Sequence, residues 1–179
     1  TVKSFKKNYN IKAKATIINK CLNLISKSKK FVIIVGAGIK YNSSFRAVTI
    51  LAEYINVPMV TAVGHGEAIP NNHKLNSGQM GPRGNPVATK LMREADTILA
   101  LGTRLGFNST FYSYENINKK AKIIQVELEK KMIGKYFPVK IGILADASIV
   151  ATQLLKALKQ KKILSNTEKW TKKFINDKK

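Results

Sequence analysis

The sequence has few residues of several kinds, and each shortage excludes a class of protein. Cys21 is the single cysteine, so an internal disulfide framework is excluded and a reducing, cytoplasmic location is expected. No apolar run approaches the roughly eighteen residues of a membrane-spanning helix. The lysine-rich first residues are not followed by the apolar core or cleavage site of a secretory signal. For 179 residues we expect one sizeable packed domain and no membrane partner.

Carboxylates and arginines are also scarce. The chain has 10 Asp and Glu residues against 32 Lys and Arg residues, for a formal net charge of +22, and only four of the 32 are arginine. Residues 1–30 and 156–179 together hold +16 of this charge. Surfaces that read nucleic-acid phosphates or base edges favour arginine and interleaved aromatic residues. The pattern therefore indicates solvated surface lysine, and nucleic-acid binding is the minor alternative.

The sequence contains several short apolar runs, each followed by a glycine turn. Residues 31–35 are uniformly apolar and predict a strand buried on both faces. Gly36-Ala37-Gly38 follows at once, and an apolar helical stripe begins at Ala47. A strand, a glycine turn and a helix can present N–H groups and a positive helix end to a phosphate. The third glycine of a complete dinucleotide motif is replaced by Tyr41, so a tight turn without a ligand is an equal alternative.

The alternation continues along the chain and predicts an α/β fold with a mainly parallel sheet. Further strands are predicted at residues 59–63, 97–101, 122–126 and 140–144. Helices are predicted at residues 14–28, from Pro86 to Ala95, after Asp146, and at 167–175. The glycine-rich residues 64–84 are predicted to be a long loop. We divide the chain into an extended lead-in (1–13), a domain (14–160) whose core stripes end at Leu158, and a basic C-terminal linker (161–179).

Ligands of parallel sheets lie beyond the carboxyl ends of the strands. Those predicted ends are Gly36-Ala37-Gly38, Gly64-His65-Gly66, Gly102-Thr103-Arg104, residues 127–129 and Asp146. Arg104 is a lone arginine after a buried strand, which favours a bidentate contact with phosphate or carboxylate, the alternative being a salt bridge at the rim. His65 and His73, the two histidines, have no cysteine or paired carboxylate nearby in sequence, so we expect neither a zinc site nor acid–base catalysis.

Residues 12–158 contain several segments that occur in the same order in the central domain of thiamine-diphosphate-dependent enzymes. The chain resembles this domain, and that of acetolactate synthase and its relatives most closely. The matching segments include residues 35–38, 51–58, 68–73, 94–105, 122–126, 133–136 and 146–147. The resemblance implies a three-layer, Rossmann-like parallel sheet of about six strands with helices on both faces.

The resemblance also implies a role in a longer enzyme. Two other domains of the same chain would bind thiamine diphosphate and Mg²⁺ in a homo-oligomer, while this domain does no chemistry and holds FAD, ADP or nothing. The metal motif Gly-Asp-Gly is absent, since the chain has Ala145-Asp146-Ala147, so we expect the chain alone to be inactive. A sulfoacetaldehyde acetyltransferase, another 2-oxo acid decarboxylase and a stand-alone nucleotide-binding module are the alternatives.

By position, the resemblance assigns eight residues to a nucleotide site: Gly36, Gly38, Gly102, Thr103, Arg104, Glu127, Glu129 and Asp146. The glycine turns and Arg104 would meet the phosphates, and the two glutamates, which are usually aspartates in the family, would meet the ribose or adenine. A polar, aromatic loop follows Arg104, and its rings would stack on a flavin or pack against the other domains; they are Phe107, Phe111, Tyr112 and Tyr114. No catalytic or metal-binding residue is assigned.

Overall fold

The computed structural model describes residues 10–42 and 45–177, and in these it contains a six-stranded, wholly parallel sheet. The strands are β1 (Phe31–Val35), β2 (Met59–Thr61), β3 (Asn76–Gln79), β4 (Thr97–Leu101), β5 (Lys122–Glu127) and β6 (Ile141–Leu144). Their order is β3-β2-β1-β4-β5-β6. The chain therefore builds the sheet outwards in one direction and then in the other, and the order reverses between β1 and β4. The predicted Rossmann-like α/β fold is confirmed.

Helices cover both faces of the sheet. They are α1 (Ala15–Lys27), α2 (Phe45–Ile55), α3 (Pro86–Glu94), the short α4 (Phe107–Thr110), α5 (Ala147–Gln160) and α6 (Glu168–Asp177). The apolar sides of α1, α2 and α5 form one core, and those of α3 and α6 belong to the other. Alternate residues of β1 enter the two cores: Ile33 lies in the first, and Val32 and Ile34 lie in the second. This two-sided burial explains why β1 is uniformly apolar.

Two helix starts follow the capping chemistry of the sequence. The Asn85 side chain accepts a hydrogen bond from the Val87 N–H at 2.8 Å, and Pro86 is the first residue of α3. The Asp146 side chain accepts from the N–H groups of Ser148 and Ile149 and starts α5. Both predicted caps are confirmed.

Three segments differ from the prediction. Strand β2 ends at Thr61, two residues early, and residues 64–84 are not a loop throughout, because Asn76–Gln79 pairs with β2 as the outer strand β3. The segment is polar and contains glycine, so it lacks the composition of a strand. A 3₁₀ helix at Ala37–Asn42 separates the first glycine turn from α2.

The C-terminal segment corrects the expectation that the core ends at Leu158. The predicted helix near residues 167–175 is confirmed as α6, and its Trp170 and Phe174 are buried with ring centroids 4.9 Å apart. The Thr171 hydroxyl donates to the Asn56 carbonyl at 3.0 Å, which ties α6 to the end of α2. The division of the chain at residues 13 and 160 stays a prediction. Among the described helices, none has the length and apolarity needed to cross a membrane.

Candidate functional site

A cleft of about 780 Å³ lies at the carboxyl ends of the strands, above the point where the strand order reverses. This volume is in the usual range for small-molecule sites. Seven of the eight residues that the sequence assigns to a nucleotide site line it: Gly36, Gly38, Gly102, Thr103, Arg104, Glu127 and Glu129. The fold therefore brings residues from three separate strand ends to one place. Their contact with a nucleotide stays a prediction.

Asp146 is the eighth residue, and it lies beside the cleft without lining it. Its side chain is fully buried, and Oδ1 accepts from the N–H groups of Ser148 at 2.9 Å and Ile149 at 3.0 Å. Oδ2 has no hydrogen-bond partner among the described residues. Its neighbours Ala145 and Ala147 do line the cleft. In the structure Asp146 is the N-cap of α5.

The glycine turns at the floor of the cleft pack against each other. The Gly36 N–H donates to the Leu101 carbonyl, and the Gly38 N–H donates to the Gly102 carbonyl at 2.9 Å. A Cβ placed on Gly38 would lie 2.6 Å from the Gly102 Cα, which is too close for any side chain. The Gly102 N–H in turn donates to the Val126 carbonyl at 3.0 Å. The N–H groups of these three glycines are therefore already paired within the backbone, and the glycines serve close backbone packing. Contact of the two turns with a phosphate stays a prediction.

Charged side chains stand at one end of the cleft. Arg104 Nη2 lies 3.2 Å from Glu129 Oε2, and Lys131 Nζ lies 2.8 Å from Glu129 Oε1. The hydrogen bond from Lys131 lowers the pKa of Glu129, and Arg104 acts in the same direction. Burial raises the pKa of Glu127, although the charge of Arg104 opposes this. Arg104 thus forms the rim salt bridge that was the alternative to a ligand contact, but its side chain is 57% exposed and within reach of a ligand.

His65 and residues of α4 also line the cleft. The His65 Nδ1 atom is buried and has no hydrogen-bond partner in the part of the chain that is described. Phe107, Asn108 and Ser109 of α4 line the cleft, and Ser109 Oγ accepts from the Val63 N–H at 3.0 Å. The sequence indicates a place for His65 in the cleft, because His65 lies between two glycines after a predicted strand. The two polar residues of α4 carried no signal, because a four-residue helix reaches this wall only through the fold.

The second histidine, His73, stabilises the loop between β2 and β3 through two hydrogen bonds. His73 Nε2 lies 3.0 Å from Glu53 Oε1, and the Leu75 N–H donates to His73 Nδ1 at 3.1 Å. A neutral imidazole with its proton on Nε2 satisfies both contacts. Within residues 10–42 and 45–177, no three His, Cys, Asp or Glu side chains come together as a possible metal site.

The aromatic loop stands only partly in the cleft. Phe107 lines it, whereas Phe111, Tyr112 and Tyr114 are about half exposed outside it. The Tyr112 ring stacks on Tyr136 with centroids 4.4 Å apart. Phe111 and Tyr112 both have left-handed backbone angles, with φ of 52° and 54°. Left-handed backbone angles at residues other than glycine carry an energetic cost.

The sequence of the chain is similar to those of known proteins. The family model described as the central domain of thiamine pyrophosphate enzymes matches residues 18–154. A sulfoacetaldehyde acetyltransferase of Roseovarius nubinhibens is 37% identical over 143 residues, which cover 79% of this chain and 24% of that protein. An acetolactate synthase large subunit of Buchnera aphidicola is 31% identical over 169 residues, which cover 92% of this chain and 29% of that protein. The chain spans about a quarter of the length of these curated relatives.

Proposed function

This chain belongs to the thiamine pyrophosphate enzyme central-domain family, and from that premise we propose that it is the nucleotide-binding central domain of a longer carboligase or acetyltransferase. The longer protein would be of the acetolactate synthase or sulfoacetaldehyde acetyltransferase type. Thiamine diphosphate supplies the carbanion chemistry in such enzymes, and we assign it, with Mg²⁺, to the other domains. Turnover of pyruvate by this chain alone, given both cofactors, would contradict that assignment.

The cleft is the observation that carries the nucleotide-binding part of the proposal. Its residues suit a nucleotide such as FAD or ADP, since Arg104 can donate to phosphate oxygens and Glu127 can accept from ribose hydroxyls. The buried Nδ1 of His65, which also lines the cleft, offers a further polar partner to a ligand. A buried polar atom without a partner is costly, and a ligand there would relieve that cost.

A purely structural domain is the second candidate, and two observations favour it. The N–H groups of Gly36, Gly38 and Gly102 already donate to backbone carbonyls. The guanidinium of Arg104 already pairs with Glu129. In that case the exposed Phe111, Tyr112 and Tyr114 would be covered by other domains of the longer protein, as large exposed apolar patches usually are.

Isothermal titration of the chain with FAD and ADP separates the two candidates. We expect one site per chain, and Arg104→Ala should weaken binding by about 1.5–3 kcal/mol, the range for hydrogen bonds to charged groups. Arg83→Ala is the matched control, because Arg83 is exposed and lies outside the cleft lining. Absence of heat with both nucleotides would favour the structural domain. Equal affinity in the two variants would remove Arg104 from the site.

A further inference from the structure

Glu129 is surrounded by cations at the mouth of the cleft. Its two carboxylate oxygens are divided between Lys131 Nζ at 2.8 Å and Arg104 Nη2 at 3.2 Å. Lys135 is also close enough for its charge to act on Glu129. The Glu129 carboxylate thus lies between an arginine and a lysine, at a position where an anionic group of a ligand could bind in its place. Glu127, the other acid of the cleft, makes no such bridge among the described ion pairs.

We infer that Glu129 occupies the anion position of the cleft, and that a nucleotide phosphate binds between Arg104 and Lys131 by displacing it. The inference rests on the proposed nucleotide-binding function and adds Lys131 as a phosphate-binding residue. Lys131 lies on a one-turn 3₁₀ helix after β5, outside the cleft lining, and was not assigned to the site from the sequence.

The exposure of the three side chains makes the exchange feasible. The side chains of Arg104 and Lys131 are 57% and 74% exposed, and that of Glu129 is 38% exposed. Ion pairs in contact with water are weak, so their rupture costs little. A terminal phosphate carries more charge and more acceptor oxygens than a carboxylate, and it can contact both cations at once. The departing Glu129 side chain is free to turn into solvent.

Competition of this kind makes a specific prediction about ligand charge. Loss of the Glu129 charge should strengthen binding of phosphorylated ligands, because Arg104 and Lys131 are then available without an exchange. Adenosine has no phosphate to place between the two cations, so its affinity should not change. The Glu129 carboxylate therefore lowers the affinity of the site for phosphorylated nucleotides. It also reduces the difference in affinity between these nucleotides and adenosine.

Titration of the chain with ADP and adenosine tests the inference. Glu129→Gln should bind ADP about threefold or more tighter than the native chain, with adenosine unchanged. Glu115→Gln makes the same change of charge at an exposed position outside the cleft and should have no effect. Lys131→Gln should weaken ADP binding, whereas Lys130→Gln, at the neighbouring exposed lysine, should not.

A double-mutant cycle separates displacement from a general effect of charge. If phosphate replaces Glu129, Lys131→Gln should cost more ADP affinity in the Glu129→Gln background than in the native chain, since no carboxylate then competes for Lys131. Strictly additive effects, or equal gains for ADP and adenosine, would overturn the inference and leave the nucleotide site standing. Absence of binding of either ligand to every variant would remove the proposed nucleotide function itself, and this inference with it.

Discussion

Carboxylates at the amino ends of the strands (the amino edge) and at their carboxyl ends (the carboxyl edge) have different partners. At the amino ends of β1 and β4, Asp96 accepts hydrogen bonds from the Ser28 hydroxyl and from the N–H groups of Lys29 at 2.8 Å and Lys30 at 3.0 Å. At the carboxyl ends, Glu127 and Glu129 line an open cleft. At the amino edge Asp96 joins α1, β1 and β4. At the carboxyl edge Glu129 pairs with the exposed side chains of Arg104 and Lys131, and Glu127 makes no ion pair among the described residues.

The pKa values of Asp96 and Glu127 shift in opposite directions, whereas the pKa of Glu129 is lowered by Lys131 and Arg104. Burial acts to raise the pKa of Asp96, but hydrogen bonds, that from Ser28 first, outweigh it, and the net pKa is lowered. Burial also acts on Glu127, and there it prevails, so the pKa is raised. A polar residue at a strand end is thus a weak sign of a site.

The largest effect is expected where the amino edge is broken. Asp96→Ala removes three hydrogen bonds and leaves the buried Ser28 hydroxyl without its acceptor. We expect a loss of about 3 kcal/mol in the free energy of unfolding, at about 1 kcal/mol per bond. Urea denaturation at pH 7 measures it. Because the folded pKa of Asp96 is lowered, its stabilisation is present above the unfolded pKa and is lost as the pH falls through the folded value.

The pH dependence provides the check on this prediction. The native chain and Asp96→Ala should converge in stability as the acid range is entered. A constant difference down to the acid range would show that the charged form of Asp96 does not carry the effect. Glu115→Ala, at an exposed acid, should leave stability within about 0.5 kcal/mol.

A smaller loss is expected at the floor of the cleft. Gly38→Ala places a Cβ 2.6 Å from the Gly102 Cα, and backbone must shift to admit it. Overpacking of this kind costs about 1–3 kcal/mol, which thermal or urea unfolding would register. Gly106→Ala is the control, because a Cβ there meets no described atom within 4 Å. Equal stability of the two variants would contradict a structural role for the first glycine turn.

The smallest effect is expected at the wall of the cleft. The raised pKa of Glu127 means that its charged form is disfavoured by folding, so its contribution is favourable below the unfolded pKa and is lost as the pH rises through the folded pKa. Glu127→Gln should therefore raise stability at pH 7 slightly, by less than about 1 kcal/mol. The gain should vanish at acidic pH, where the native carboxyl is also neutral. A destabilised variant at pH 7 would show that Glu127 is structural, like Asp96.

Much of the fold could be predicted because its signals are local. Strand β1 is apolar throughout, and β4 is apolar after Thr97, since both faces of each strand are buried. Asn85 and Asp146 cap helices through hydrogen bonds to residues two or three positions away. Strand β3 could not be predicted, because its polar residues become a strand only by pairing with β2. The burial of Trp170 depends equally on where α6 packs.

The candidate site divides in the same way. Strand ends that carry glycine, arginine or acid could be found along the chain, and parallel topology brings them to one edge. The partners of those residues could not be found, because they are set in three dimensions. The approach of Gly38 to Gly102 and the position of Glu129 between Arg104 and Lys131 join residues from different segments.

The central claim is that the carboxyl-edge cleft is a nucleotide site. Native mass spectrometry of the purified chain with FAD and ADP tests it most directly when Gly106→Phe is measured beside the native chain. Gly106 lines the cleft and a Cβ there meets no described atom within 4 Å, so a phenylalanine ring should obstruct the cleft without disturbing the fold, which thermal unfolding would verify. We predict one nucleotide per native chain and none on Gly106→Phe. Equal binding by both, or no nucleotide on the native chain, would contradict the claim.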